Sequence, residues 1–269
     1  MKRLSLVLFA VSTLWGQDPL EIVQRSVERD WTDFTSRKDY TYQQHFELRE
    51  YTRDGRVNNQ RNETKEIMIL GGWPSERLIA RNDVPLSERD ARRERQKFER
   101  EIADRQNESA ADRARHEKER AEDRKFIREL PDAFTFHLDG VESVSGQPAW
   151  VIEADPKPSF HPVHSRAQLF AKVRAKVWIE QDTYHWVKAD IDAIDTLTFG
   201  FGLLRVAPGG TLHFEQTRVN DEIWLPSHAS IRADARLALV KKVRAEIDIR
   251  YSDYRKFQAD SQIVQTIEH

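Results

Sequence analysis

KDYTYQQHFELREYTRDG, residues 38–55, decides the fold. Tyr40, Tyr42, Gln44, Phe46, Leu48 and Glu50 recur at every second position, so in an extended chain they share one face. Asp54-Gly55 then supplies a turn signal of the kind that joins antiparallel strands. The stretch therefore predicts a long sheet strand and the start of a meander.

Working outward, Thr64–Leu70 is the expected return strand, and Gly71-Gly72-Trp73-Pro74 turns the chain into a further strand over Arg77–Arg81. The pattern resumes at Phe134–Val144, turns at Ser145-Gly146 and continues through Ala149–Ala154. Ser165 is expected to cap a short helix running to Val173. Lys176–Glu180 then pairs across Gln181-Asp182 with Tyr184–Ile194. Pro208-Gly209-Gly210 and Asn220-Asp221 are turn signals flanked by LHFEQTRV and EIWLPSHASI, and a final long strand is expected over Ala235–Tyr251. Roughly ten strands joined by short turns predict a closed or half-closed antiparallel sheet.

Ahead of the first strand, DPLEIVQRSVERDWTDF (residues 18–34) places Leu20, Ile22, Val23, Val27, Trp31 and Phe34 at spacings of three and four. This is an amphipathic helix that needs an apolar surface, with Asp18 as its cap and Pro19 in the first helical position. Further upstream, Met1-Lys2-Arg3, an apolar run from Leu4 to Leu14 and Gly16 before a polar stretch read as a secretory signal, residues 1–16. No later stretch approaches the ~20 apolar residues of a transmembrane helix. Residues 17–269 are accordingly expected to work outside the cytoplasm, in the periplasm of a cell with two membranes.

The charged residues, 33% of the 269, concentrate between Ser87 and Lys125. Ser87-Glu88-Arg89-Asp90 resembles a capping box, and the residues after it are strong helix formers with opposite charges three and four apart. Residues 85–130 are thus a helical insertion, about 60 Å long if continuous, with Asn107-Glu108-Ser109 as the place to break it. It is either a solvated helix or helical hairpin lying over the domain, or a mobile lid or a handle for an envelope protein partner.

A formal net charge of −2 gives no basic field for nucleic acid, and the lack of cysteine excludes disulfides, thiolate metal sites and a cysteine nucleophile. No phosphate loop, dinucleotide motif or HExxH is present, so no cofactor and no metal are expected. His161 and His164 near Ser159 and Ser165 leave a hydrolase open, although no nucleophile elbow accompanies them. His185, His213 and His228 are scattered over expected strands. The aromatic residues stand out more: such rings usually fill a core, but on a strongly curved sheet they also line an apolar concavity.

Three strings carry a resemblance: FTFHLDGVESVSGQPAWVIEADPKP (residues 134–158), KVWIEQDTYHWVKADID (176–192) and IRYSDYRKFQADSQI (249–263). Together with the export signal and the opening helix, they resemble the LolA/LolB-like family of periplasmic lipoprotein carriers. The family has no counterpart of the charged insertion, and no arginine here matches the one that latches the family's lid. The resemblance implies an α+β fold, mainly β: a half-open antiparallel barrel of about ten to eleven strands with an N-terminal helix over its opening. It also implies a non-enzymatic carrier of a lipid or a lipidated protein. The expected lining of the apolar concavity is Trp31, Phe34, Phe46, Phe136, Trp150, Trp178, Trp186, Phe199, Phe201 and Trp224.

Overall fold

The two-residue alternation of the opening stretch becomes β1 (Tyr40–Tyr51), which pairs on one side with β2 (Val57–Leu70) and on the other with the last strand of the chain. The computed structural model describes residues 17–33, 40–70, 73–199, 204–237 and 241–256. Within them lie thirteen strands in one open sheet. After β2 come β3 (Trp73–Arg81), β4 (Val84–Pro85), β5 (Phe134–Val144), β6 (Gln147–Pro156), β7 (Val173–Glu180) and β8 (Trp186–Ala193). The set ends with β9 (Leu197–Phe199), β10 (Leu204–Val206), β11 (Thr211–Val219), β12 (Ile223–Leu237) and β13 (Lys241–Lys256). All pairings are antiparallel, in the order β4-β3-β2-β1-β13-β12-β11-β8-β7-β6-β5, with β10 and β9 attached at the end of β12.

The architecture is the expected mainly-β, half-open one, with differences of detail. Ten of the strands are long; β4, β9 and β10 are two- or three-residue additions without a period to read. The return strand begins at Val57 rather than Thr64, because the polar run Asn58–Asn62 pairs with the charged end of β1. The single closing strand expected over 235–251 is the end of β12 and the start of β13, which pair with each other. Ser165 does not cap: His164 occupies the cap position of a 3-10 segment, Ser165–Lys172, and makes no side-chain cap bond.

Turn chemistry and bulges set which face each side chain takes. Asn220 and Asp221 both take positive φ, 53° and 56°, as the two-residue turn between β11 and β12 requires. In β5 a bulge falls between Leu138 and Gly140, where Gly140 holds φ at 149°. The extra residue returns Val141 to the position opposite Trp150.

The opening helix forms as read, α1 (Pro19–Asp33), with Asp18 accepting from the Leu20 backbone N–H at 2.9 Å. Its Ile22 and Val23 are buried against Trp150, Ile152 and Ile179, with Phe136, Leu138, Val177, Tyr184 and Trp186 around them. Fully burying side chains of this size stabilises by about 1.5–3 kcal/mol each, so α1 is held mainly by this patch.

The insertion is a pair of helices, α2 (Glu88–Gln106) and α3 (Ala110–Arg124), broken at Asn107-Glu108-Ser109. Ser87 and Ser109 each accept the backbone N–H three residues on, from Asp90 at 3.2 Å and Asp112 at 3.1 Å. In each case the acidic side chain takes the serine hydroxyl instead of the cap's own N–H, so the capping box is only half formed. A 3-10 turn (Lys125–Glu129) and α4 (Leu130–Ala133) then lead into β5. The chain leaves from β4 at one edge of the sheet and re-enters at β5, the other edge.

Candidate functional site

Cross-strand register shows what the sheet offers on its two faces. One row runs Ile191–Leu212–Ile231–Ile247–Leu48 across β8, β11, β12, β13 and β1, each residue directly opposite the next. The neighbouring row runs Ala189–Phe214–Ala229–Ile249–Phe46 across the same strands. Both are wholly apolar, and both lie on the face that carries Val177, which is opposite Ala189 and packs beneath α1. The intervening positions are Asp190, His213, Ser230, Asp248 and Glu47, so behind these two rows the opposite face is polar.

The apolar face divides into a covered and an uncovered part. Over β5 to β8, α1 and the Trp150–Tyr184 ring pair, 5.2 Å between centroids, close it. The Trp186–Phe214 pair, 4.9 Å apart, carries it onward to the central strands. There Phe46, Leu48, Ile191, Leu212, Phe214, Ile247 and Ile249 are only half buried, and Ile231 is 37% exposed. Among the described residues α1 packs on β5 and β7 and α2 on β3, and no helix has comparable packing on β11, β12, β13 or β1. Toward the far end, Tyr42 makes tilted ring contacts with Tyr251 and Tyr254, 5.9 and 5.4 Å between centroids. Burial, helped by the neighbouring Tyr251 and Glu76, pushes the Tyr42 phenol up to about 12, and burial raises that of Tyr251 as well. Both shifts report a medium from which water is partly excluded.

The expected lining residues do not all meet. Phe136, Trp150 and Trp186 stand together under α1, and Phe46 belongs to the uncovered rows. Trp31 lies at the end of α1 with the Arg128 guanidinium 4.0 Å from its ring centroid. Trp178 and Trp224 form a different cluster with Ala149, Val151 and Val187. Ala149 and Val151 flank Trp150 in β6, so this second cluster sits on the other face of the sheet. Trp178 is further occupied there by its indole bond to Glu142, 2.7 Å, and by the Lys188 ammonium 4.2 Å from its ring centroid. Phe199 is exposed in β9; Phe34 and Phe201 lie outside the described residues. Ile191, Leu212, Ile231, Ile247, Ile249 and Leu48 went unread, although counting alternate positions from Phe214 and Phe46 would have found them.

Asp30 fastens α1 to both the sheet and the insertion. Its carboxylate is nearly inaccessible, accepts from the Trp186 indole N–H at 3.2 Å, and pairs with the Arg124 guanidinium at the end of α3. This ion pair joins residues 94 apart, and no local signal in the sequence marks it. On the sheet's other side α2 buries Phe98 against β3, with Arg77 over its ring at 5.9 Å and Ser75 donating to Glu101 at 2.9 Å. A continuous line of contacts therefore runs from one sheet edge through the insertion to the other.

The hydrolase candidates are held structurally. Glu129 accepts from the backbone N–H groups of Val163 and His164 at 2.8 and 2.9 Å and meets His164 Nδ1 at 2.5 Å. Burial raises the Glu129 carboxyl, but these bonds outweigh it and leave the group below the usual carboxylate range. His161, Ser159 and Ser165 are exposed, and among the described residues no serine hydrogen-bonds the His164 ring. The histidines expected to be scattered do partly converge: His213 and His228 share the charged face with Glu215, Asp190 and Asp248.

No family model matches the sequence, and no curated protein matches it. Among solved structures the chain is similar to a DUF1329 family protein from Desulfovibrio piger, at 14% identity and TM-score 0.34 over 91% of this chain and 96% of that one. It is similar to a putative outer membrane lipoprotein-sorting protein domain from Vibrio parahaemolyticus, at 14% identity and TM-score 0.35 over 91% and 94%. A LolA superfamily protein from Nitrosomonas europaea matches at 12% identity and TM-score 0.31 over 90% and 94%. At these values nothing about role, cargo or partner carries over from them.

Proposed function

We propose that this protein is a non-enzymatic carrier that shelters an acyl chain of a lipid or a lipidated protein against the apolar face of its open sheet. In this reading residues 1–16 direct export and the work is done in the periplasm. One observation supports it above the rest: two in-register apolar rows across five strands, half exposed and without helix packing comparable to that on β3, β5 and β7 among the described residues. A long uncovered apolar face is costly in water unless something occupies it. An acyl chain is the fitting occupant because the rows offer methyl and ring carbons without a polar group to orient a more structured ligand. Each buried methylene contributes about 0.8 kcal/mol, so eight of them supply about 6 kcal/mol, an affinity in the tens of micromolar before ordering costs.

The test is uptake of a fluorescent C16 fatty acid by the purified protein, followed by extraction and mass spectrometry of whatever it carries from cells. Ile231→Glu and Ile247→Glu place a carboxylate in the middle of the rows; each is expected to weaken uptake at least tenfold while the far-ultraviolet dichroism stays that of the wild type. Uptake that is absent in the wild type, or untouched by both substitutions, overturns the reading.

A second reading is favoured by the exposure of α3, whose side chains mostly face solvent. There the insertion, Ser87 to Lys125, docks a protein of the envelope, and the sheet only supports it.

A further inference from the structure

The charged face of the sheet gathers two imidazoles and three carboxylates on four adjacent strands. His213 and Glu215 are two residues apart on β11, so both side chains leave the same face. His228 on β12 lies directly opposite Glu215. At such a pairing Cβ atoms are about 4.5–5.5 Å apart, and the diagonal neighbour is within reach of a long side chain. One ligand-capable atom from each of His213, Glu215 and His228 lies within 4.8 Å of the other two. His213 Nε2 and Glu215 Oε1 are already 3.1 Å apart. That is close to the ~3.3 Å between ligand atoms that Zn–N and Zn–O bonds of about 2.0–2.2 Å impose in a tetrahedral site.

The surroundings are those of a ligand set with outer support. His213 Nδ1 meets the Asp190 carboxylate of β8 at 2.5 Å, so Asp190 fixes the ring with Nε2 turned to Glu215. A carboxylate on the second nitrogen of a ligating histidine orients it and raises its basicity. His228 Nε2 meets Asp248 Oδ2 of β13 at 2.7 Å. The other Asp248 oxygen is buried without a hydrogen bond, with Arg250 Nε 3.1 Å away. Lys188, opposite Glu215, is turned onto the Trp178 ring, so it does not neutralise the cluster directly. Three carboxylates converge on two imidazoles with one guanidinium at the margin, and a divalent cation answers that imbalance.

We propose that His213, Glu215 and His228 form a site for a divalent first-row transition metal, with Asp190 as the positioning residue behind His213. Two imidazoles and one carboxylate suit Zn²⁺ and its neighbours rather than Ca²⁺ or Mg²⁺, which prefer oxygen alone. Bound metal would tie β11 to β12 on the face opposite the acyl-binding rows, so the site stands whether or not the carrier reading does.

The experiment uses full-length exported protein without a histidine tag, dialysed against chelator and titrated with Zn²⁺ by calorimetry and against a chromophoric competitor. One ion per chain is expected, with a dissociation constant in the micromolar range or tighter. His213→Ala and His228→Ala should each abolish that uptake, and Asp190→Asn should weaken it about tenfold. Thermal unfolding should shift upward with Zn²⁺ in the wild type and not in the alanine variants. Wild-type uptake no greater than that of the H213A/H228A double variant, with both proteins folded by circular dichroism, overturns the proposal and leaves the cluster a ladder of ion pairs. Binding that survives both single substitutions also overturns it, since the metal is then held elsewhere.

Discussion

At the scale of single residues, Tyr42 measures how dry the far end of the apolar face is. Its phenol is pushed up to about 12 by burial, with Tyr251 and Glu76 adding to the effect. In the unfolded chain the same group ionises near 10. Below pH 10 the phenol is neutral in both states, and the raised value has no effect on stability. Between about 10 and 12 the unfolded state loses its proton and the folded state keeps it, so stability falls as pH rises through that window. Tyr42→Phe cannot ionise and is expected to recover about 1–2 kcal/mol of the alkaline loss, discounting for partial solvent access. Urea unfolding at pH 8 and pH 11 checks this: the two proteins should lie close together at the lower pH and apart at the higher. Equal pH dependence in both would mean that water reaches Tyr42 freely.

At the scale of elements, α1 is held by two different kinds of contact, and they can be separated. Ile22 and Val23 supply apolar burial, whereas Asp30 joins α1 to Arg124 of α3 and to the Trp186 indole of β8. Removing one partner of a buried ionic contact leaves the other uncompensated and costs about 3–5 kcal/mol. Because Arg124 keeps about a quarter of its side-chain exposure, Asp30→Ala is expected to lower stability by somewhat less, about 2–3 kcal/mol. Hydrogen exchange should localise the loosening to residues 19–33 and 110–124. If the urea midpoint and the exchange pattern are those of the wild type, apolar packing alone secures the helix. The helix itself was legible, because its three-and-four spacing and Asp18-Pro19 start are local signals. So were most of the long strands, the Asn107–Ser109 break and the turns at Gly55 and Asn220-Asp221, each fixed by neighbours in sequence; the boundary between β12 and β13 was not, since the expected closing strand over 235–251 runs across it. Nor was the ion pair of Asp30 with Arg124: the two are 94 residues apart, and nothing local distinguishes Arg124 from the many arginines around it. Part of the lining was legible: Trp178 stands between Val177 and Ile179, which pack under α1, so alternation places its ring on the other face, whereas its meeting with Trp224 of β12 depends on contacts distant in sequence. His213 and His228 likewise meet only through the β11–β12 register.

At the scale of the molecule, the charged insertion is the segment that spans from one sheet edge to the other. β4 and β5 are the ends of the sheet order, and the residues between them are α2, α3, the 3-10 turn and α4. Phe98 anchors α2 on β3, and Arg124 anchors the end of α3 on α1, which itself lies on β5 and β7. A segment so placed either restricts entry to the apolar face or presents its outer surface to a partner, and the two roles differ in what its removal does. Replacing residues 88–124 with a Gly/Ser linker of the same length, with a root-mean-square reach of about 30–35 Å, removes the helices without shortening the connection. The sheet should still form, since its ladders are made by other residues, with a lower urea midpoint from the loss of the Phe98 and Arg124 contacts. If the insertion restricts the opening, stopped-flow release of a bound fluorescent C16 fatty acid should accelerate at least fivefold, with a smaller effect on affinity because uptake accelerates too. If it is a handle, release should be unchanged and capture of an envelope partner lost. Unchanged release together with unchanged capture would remove both roles and reduce the insertion to a solvated strap across an open sheet.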